Sequence, residues 1–485
     1  MRAMCLKFCV TLFFALVQIS GTVQTLNAQN TFEKSFGYDS LDEGHSVKQT
    51  LDGGYIIVGY TVNYLCGLGH DYAIRLNSLG DTIWTRSYGT QYDQSMANAV
   101  QLTNDGGFII AGYAQPYSGN GYLYLVKANE SGDTMWTKRI SSGVDYTCGY
   151  SVQQTNDGGY VVCGIKETIF STTSQIFLVK TDANGTQQWA KTYGGANREI
   201  GYDVSQTSDG GFVIVGGSQS FGAGDWDFYM VKTDASGNLI WEKHYGDSAG
   251  DIAYSVKQTT DGGYAILGES DKIVQNHWVI DLFLIKTNSN GDTLWTKKYS
   301  GNVYCEHYSL DLGCNDGYIL AGAKVDSLSG YSDAYLIKTD DFGNVTWSKT
   351  FGGLWDDGSY SVEKLNDGYI VIGYCDVGGN GMQYEDVYAI RVSSYGALTS
   401  VIDPNAQNAL CKVAPNPFSK STMINFDKQI EFNFSLYDIF GKDVMNLKGN
   451  SNQFTIDRGV LPNGVYFYNI KSESETISKG KLVIE

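Results

Sequence analysis

The sequence predicts an all-β chain whose bulk is one four-stranded unit repeated seven times. An Asp-Gly turn followed by an apolar run recurs at Asp52, Asp105, Asp157, Asp209, Asp261, Asp316 and Asp367, at spacings of 53, 52, 52, 52, 55 and 51 residues. In the same register, 20 or 21 residues before each turn, stands an aromatic residue with a basic one two places on: Phe32, Trp84, Trp136, Trp189, Trp241, Trp295 and Trp347. Composition agrees, with 58 Gly, 35 Tyr and only 5 Pro among 485 residues, the mixture of short strands separated by tight turns.

The fourth unit shows the pattern. Its a strand is Tyr202 to Gln206, and Ser208-Asp209-Gly210-Gly211 supplies positive-φ glycines for a hairpin. The b strand, Phe212 to Val215, is apolar throughout, as expected when both faces are buried. The c strand, Phe228 to Lys232, turns through Asp234 to Asn238 into the d strand, Ile240 to Tyr245, which carries Trp241. Units six and seven read Asp-Gly-Tyr where the others read Asp-Gly-Gly, so their hairpins are one residue tighter.

Four short strands at a period near 50 residues is the spacing of propeller blades, so residues 29–396 are expected to form a seven-bladed β-propeller. The seventh c strand, Val387 to Val392, is followed by no tryptophan strand. Residues 31–36 have the d-strand pattern and are expected to close blade seven, which ties the ends together and removes exposed sheet edges.

Residues 1–28 read as a secretory signal peptide: Arg2 and Lys7, an apolar run from Phe8 to Ile19, then Ala28. That run falls short of the roughly 20 residues a spanning helix needs, and no later segment reaches them, so no transmembrane segment is expected. The net charge of −18 is spread without long acidic runs and disfavours nucleic acid, while allowing cations, basic partners or neutral ligands such as glycans. Nine cysteines without CxxC spacing indicate no disulfide framework, and Cys305 and Cys314 are expected at opposite ends of a strand.

Residues 397–412 break the repeat as a polar linker. Residues 413–485 then carry Ala414-Pro415-Asn416-Pro417-Phe418, Phe434-Ser435-Leu436-Tyr437-Asp438 with Gly441-Lys442, and Leu461-Pro462-Asn463-Gly464-Val465-Tyr466. Alternation and turn residues predict a small antiparallel β-sandwich. This segment resembles the type A C-terminal sorting domain of the type IX secretion system of Bacteroidota. The repeats are similar to the Asp-Gly-Gly β-propeller repeats of such exported proteins. The resemblance implies the type IX machinery as a partner, passage through the outer membrane, removal of the domain, and release or attachment at the cell surface. Asp81, Asp133 and Asp292, each followed by Thr and an apolar residue, resemble O-glycosylation acceptors of these bacteria, and turn chemistry explains them equally well.

The a–b and c–d turns are short and uniform, whereas the b–c and d–a loops on the other face vary, and that face is where function is expected. An acid stands five residues before the valine shared by the a strands in four units, at Asp42, Glu199, Asp251 and Asp357. These acids are expected either to rim a central channel as a site for Ca2+ or a polar ligand, or to satisfy backbone N–H groups of their loops. The b–c loops carry Tyr64, Tyr117, Phe170, Trp226 and Trp278, and a d–a loop carries Trp355, aromatics that either stack on a ligand or pack between blades. His45, His70, His244, His277 and His307 have no metal-ligand spacing, and no GxSxG or P-loop occurs, so no catalytic residue is assigned. The reading is an exported, non-catalytic module binding a glycan or protein, with a secreted polysaccharide hydrolase or lyase, or a passive envelope protein, as alternatives. Deleting Thr31 to Gly37 is expected to lower the melting temperature of the ring, and an unchanged melt rejects that closure.

Overall fold

A computed structural model describes residues 31–398 and 411–484, apart from 38–40, 64–67, 90–92, 118, 142, 144, 169–170, 275–276, 301–302, 304–307, 315, 327–328, 377–384, 415–417, 439–441 and 473–474. The leader and most of the linker therefore lie outside the described residues, as do Cys305 and His307. Within them the chain forms seven four-stranded antiparallel sheets and one five-stranded sheet near its C-terminus.

Each of six sheets is a meander of four consecutive strands, as in Glu199–Gln206, Phe212–Ser218, Asp227–Thr233 and Leu239–Tyr245. The seventh joins Asp357–Lys364, Gly368–Asp376 and Glu385–Ser393 to Phe32–Phe36 from the start of the chain, with Phe32 opposite Arg391 and Phe36 opposite Val387. The first strands of successive sheets lie side by side. The series runs from Leu41–Gln49 to Asp93–Leu102, Tyr146–Gln154, Glu199–Gln206, Asp251–Gln258, Ser309–Leu312 and Asp357–Lys364, and the last again meets Leu41–Gln49. The sheets are thus propeller-like blades around an axis. Their second and third strands are buried on both faces, which is why Phe212 to Val215 are all apolar.

Neighbouring sheets are joined by one recurring contact. The d-strand aromatic of each sheet packs on the aromatic that opens the second strand of the next: Phe32 on Tyr55, Trp84 on Phe108, Trp136 on Tyr160, Trp189 on Phe212, Trp241 on Tyr264, Trp295 on Tyr318 and Trp347 on Tyr369. Ring centroids are 5.8–6.2 Å apart. The tryptophan also lies on the c–d turn of the next sheet, where Gly237, for example, has φ +74° and a Cβ would come 2.7 Å from Trp189. A hydroxyl completes several of these junctions, as Tyr193 donates to the Gly237 carbonyl at 2.7 Å.

Inside every sheet the third strand carries a basic side chain only 3–7% exposed: Arg75, Lys127, Lys180, Lys232, Lys286, Lys338 and Arg391. Each reaches the aspartate of its own Asp-Gly turn at 2.7–3.3 Å, respectively Asp52, Asp105, Asp157, Asp209, Asp261, Asp316 and Asp367. In the five first sheets the same aspartate accepts the hydroxyl of a threonine two residues earlier and the second glycine N–H, as Asp209 does from Thr207 and Gly211. Burial raises the pKa of Asp209, but the bonds from Thr207 and Lys232 outweigh it and hold the carboxyl at about 2.

The C-terminal sheet contains Cys411–Ala414, Ser421–Tyr437, Asp443–Asp457, Gly464–Ser472 and Glu475–Ile484. Ser421–Tyr437 pairs with Cys411–Ala414 through its first half and with Gly464–Ser472 through its second, with an irregularity between Asn425 and Ile430. Phe426, Phe432, Phe434, Ile456, Tyr468 and Leu482 form its core.

The turn clamp predicts an asymmetry. Asp209→Ala strands the Lys232 ammonium in the sheet and is expected to cost about 1–3 kcal/mol, whereas Lys232→Met leaves a carboxylate already half in water and is expected to cost less. Thermal unfolding of the two variants checks this, and an equal or larger loss for Lys232→Met contradicts it.

Candidate functional site: the axial channel

The first strand of each sheet faces the axis, and its middle is irregular in one recurring way. The pairing with the second strand slips by one residue between Gly44 and Ser46, Ala97 and Ala99, Gly149 and Ser151, Gly201 and Asp203, Ala253 and Ser255, and Ser359 and Ser361. The residue passed over is His45, Asn98, Tyr150, Tyr202, Tyr254 or Tyr360. A bulge of this kind re-aims the extra side chain. All six line an axial channel, together with Tyr308, which occupies the same register just before Ser309–Leu312. The cavity measures about 200 Å3.

The result is a belt of five tyrosines with His45 and Asn98. Ring centroids lie 5.2 Å apart for Tyr150 and Tyr202, 4.7 Å for Tyr202 and Tyr254, 5.3 Å for Tyr254 and Tyr308, and 5.6 Å for His45 and Tyr360. Burial holds the Tyr150 and Tyr254 hydroxyls well above their ordinary pKa, so they stay protonated. His45 bonds the Ala97 carbonyl at 3.0 Å and the Glu43 carboxylate at 3.1 Å.

Because of the bulge, the next residue also faces the channel, and here the side chains serve the backbone. A first strand has one edge without a partner strand, and its N–H groups need acceptors. Ser46 accepts from Val100 N at 3.2 Å, Asp203 from Val256 N at 3.0 Å, and Ser309 from Val362 N at 3.1 Å. Two residues further, Gln153 accepts from Gln206 N, Asp311 from Lys364 N and Glu363 from Gln49 N. At this level burial alone would lower the Lys257 pKa, but Asp203, Asp311 and Glu363 hold it above its ordinary value. Lys48 pairs with Glu363 at 3.7 Å.

One carboxyl stands directly behind the belt. Glu269 lies on Tyr264–Val274 and accepts the Tyr254 hydroxyl at 3.0 Å. Burial pushes it up to about 7, against the opposing bonds from Tyr254 and Tyr308, and Asp271 adds to the rise. The corresponding residues of other sheets include Tyr60, Tyr113 and Tyr374, with Tyr374 5.3 Å from Tyr360.

The four acids singled out in the sequence are not at a channel rim. Asp42, Glu199, Asp251 and Asp357 are at most 2% exposed, and none lines the channel. Glu199 accepts Gly195 N at 2.9 Å and Ser220 N at 3.2 Å, Asp251 accepts Asp247 N at 2.9 Å, and Asp357 accepts Gly353 N. The same register holds Ser95 and Thr147 in the second and third sheets, which accept Asp71 N and Leu123 N. At this position Glu199, Asp251 and Asp357 pin loop N–H groups, whereas the hydroxyls of Ser95 and Thr147 bond third strands of the preceding sheets. Among the described residues no group of three or more His, Cys, Asp or Glu side chains is placed to hold a metal ion.

The predicted aromatics are scattered. Tyr117 is 95% exposed. Trp226 is half-buried over Gly217, and Trp355 is half-buried edge-on to Tyr331 at 5.0 Å. Tyr64 and Phe170 lie outside the described residues, and Trp278 is described only as part of His277–Thr287. Sequence reasoning missed the tyrosine belt, although its signal was present: a tyrosine two residues before the shared valine, or the leucine that replaces it, in five of seven units.

Residues 412–485 match the secretion system C-terminal sorting domain. The chain is therefore a type IX-secreted protein, released or attached at the surface, and among the described residues no helix is long and apolar enough to cross a membrane. A β-agarase of Phocaeicola plebeius is 24% identical over 165 residues, which cover 29% of this chain and 51% of the agarase, so the chain spans about half of that relative's length. Extracellular domains of two putative hybrid two component systems from B. thetaiotaomicron are similar in structure. Their identities are 11% and 10% and their TM-scores 0.40 and 0.42, over 94% of this chain in each case but only 60% and 57% of theirs. A WD40 domain from Neurospora crassa is 9% identical with a TM-score of 0.44, over 72% of this chain and 88% of that one.

The raised pKa of Glu269 fixes the sign of a pH effect. An acid whose folded pKa exceeds its ordinary 4.5 contributes its full stability below that value and loses it as pH rises toward 7. Asp71, pushed up to about 8 by burial, and Asp357, pushed up to about 6, act with the same sign, so a single variant is needed to isolate Glu269. Glu269→Gln is expected to gain on the wild type by up to about 2 kcal/mol between pH 5 and pH 8. Denaturant unfolding at the two pH values reads the difference, and parallel pH slopes refute the assignment.

Proposed function

We propose that the chain is a surface-displayed or released seven-bladed β-propeller of Asp-Gly-Gly repeats that binds a glycan or protein through its variable loop face. A small C-terminal sandwich, which contains the long strand Ser421–Tyr437, directs its export. The observation that carries this reading is the pinning of the variable loops. Glu199, Asp251 and Asp357 hold them from inside by backbone hydrogen bonds. Trp226 and Trp355, in loops held by Glu199 and Asp357, are thereby presented on a rigid frame beside the exposed Tyr117, and rigid aromatic anchors are what binding surfaces use.

The β-agarase relative supports a second reading, a secreted polysaccharide-degrading enzyme. One assay separates the two. The secreted chain is applied to arrayed polysaccharides and to surface proteins of neighbouring cells, and retained ligand and new reducing ends are both measured. Retention without new ends, reduced by Tyr117→Ala and Trp355→Ala, supports the binding module. New reducing ends favour the enzyme, and neither retention nor cleavage leaves the passive envelope role.

A further inference from the structure

The tyrosine belt has features that structural packing alone does not require. A propeller axis needs polar groups to satisfy its inner strand edges, and Ser46, Asp203 and Ser309 already do so from the following register position. The bulge adds a residue to each of six inner strands and spends it on a side chain directed at the channel. In five of the seven sheets that register holds a tyrosine, whose ring is apolar and whose hydroxyl bonds in both directions.

We infer that this belt is a saccharide-binding ring, which takes a short stretch of a neutral glycan chain into the channel mouth, with Glu269 behind it orienting the Tyr254 hydroxyl. The inference rests on the binding-module reading above and names the ligand class and the residues.

Four observations select that class. Sugars present alternating C–H faces and hydroxyls, and the belt lines the channel with the rings of Tyr150, Tyr202, Tyr254 and Tyr360 beside polar Asn98 and His45. Charge is nearly balanced: Lys48 and Lys257 oppose Asp203, Asp311 and Glu363, in a protein of net charge −18, so neither an acidic polysaccharide nor a polycation has a complementary wall. An extended peptide would bind such a ring by adding a strand to an inner edge, but several of those N–H groups are already bonded to side chains of the preceding sheet. The 200 Å3 cavity holds on the order of ten waters, room for one or two sugar rings and too little for a folded partner.

The test uses the full secreted chain and calorimetric titration with neutral cello-, xylo- and galacto-oligosaccharides of two to six units, with oligogalacturonate and an unrelated peptide mixture as contrasts. At least one neutral series is expected to bind, with affinity levelling off after about two units. Tyr202→Ala and Tyr254→Ala are each expected to weaken it roughly five- to tenfold. Glu269→Leu, which removes the acceptor of the Tyr254 hydroxyl, should weaken binding, while Glu269→Gln, which keeps an acceptor for it, restores most of the affinity. Tyr202→Phe, which preserves the ring packing, serves where an alanine variant melts early and is expected to retain the stacking share of the affinity.

Binding only to the acidic or peptide probes overturns the inference, as does binding to none. Neutral-sugar affinity left intact by folded belt variants, but lost in Tyr117→Ala or Trp355→Ala, also removes the belt while leaving the binding module in place. Failure of the module itself would show as no retention by any array in the preceding assay.

Discussion

The interaction on which the rest depends is the buried pairing of a basic side chain in each third strand with the aspartate of its own Asp-Gly turn. Lys232 lies almost out of water, and a bare ammonium there would oppose folding. Asp209 answers it from outside the sheet, and the Thr233 carbonyl from within, at 2.9 Å. The pair locks the first hairpin onto the third strand, so the three inner strands of a sheet move as one piece. Seven such pieces are then joined by a single aromatic contact, Trp189 on Phe212 and its six counterparts. Local fixing and sideways joining use different residues, which lets the unit repeat without change.

That division leaves the innermost strand as the place where sheets differ. Its free edge needs acceptors, and polar side chains of the preceding sheet supply several of them. The slip in register adds a side chain that this edge does not need. Where the repeat is otherwise uniform, this position varies among tyrosine, histidine and asparagine, and Glu269 behind it replaces residues that elsewhere include Tyr60 and Tyr113. The channel is thus a rigid scaffold with one adjustable register.

Much of the framework was legible because its determinants are local. Asp209-Gly210, Trp241 and the apolar run from Phe212 recur at fixed distances, and each describes a turn or a strand that needs no distant partner to be recognised. The loop acids were legible as polar residues at a fixed offset, yet their direction was not. Alternation along a strand assumes an unbroken period of two, and the bulge between Gly201 and Asp203 resets it. Glu199 therefore turns into the loop, while Tyr202 and Asp203, neighbours in sequence, both face the axis.

By itself the sequence determined the repeat, its strand order, the turn aspartates and the secretion address, because each is written in contiguous residues. Only the tertiary structure decided which lysine meets which aspartate, and that five tyrosines some 50 residues apart form one belt. The first is a contact within one sheet between strands that fold back on each other. The second arises when sheets distant in the chain are brought around a common axis, and spacing along a chain does not specify which way a bulged residue points.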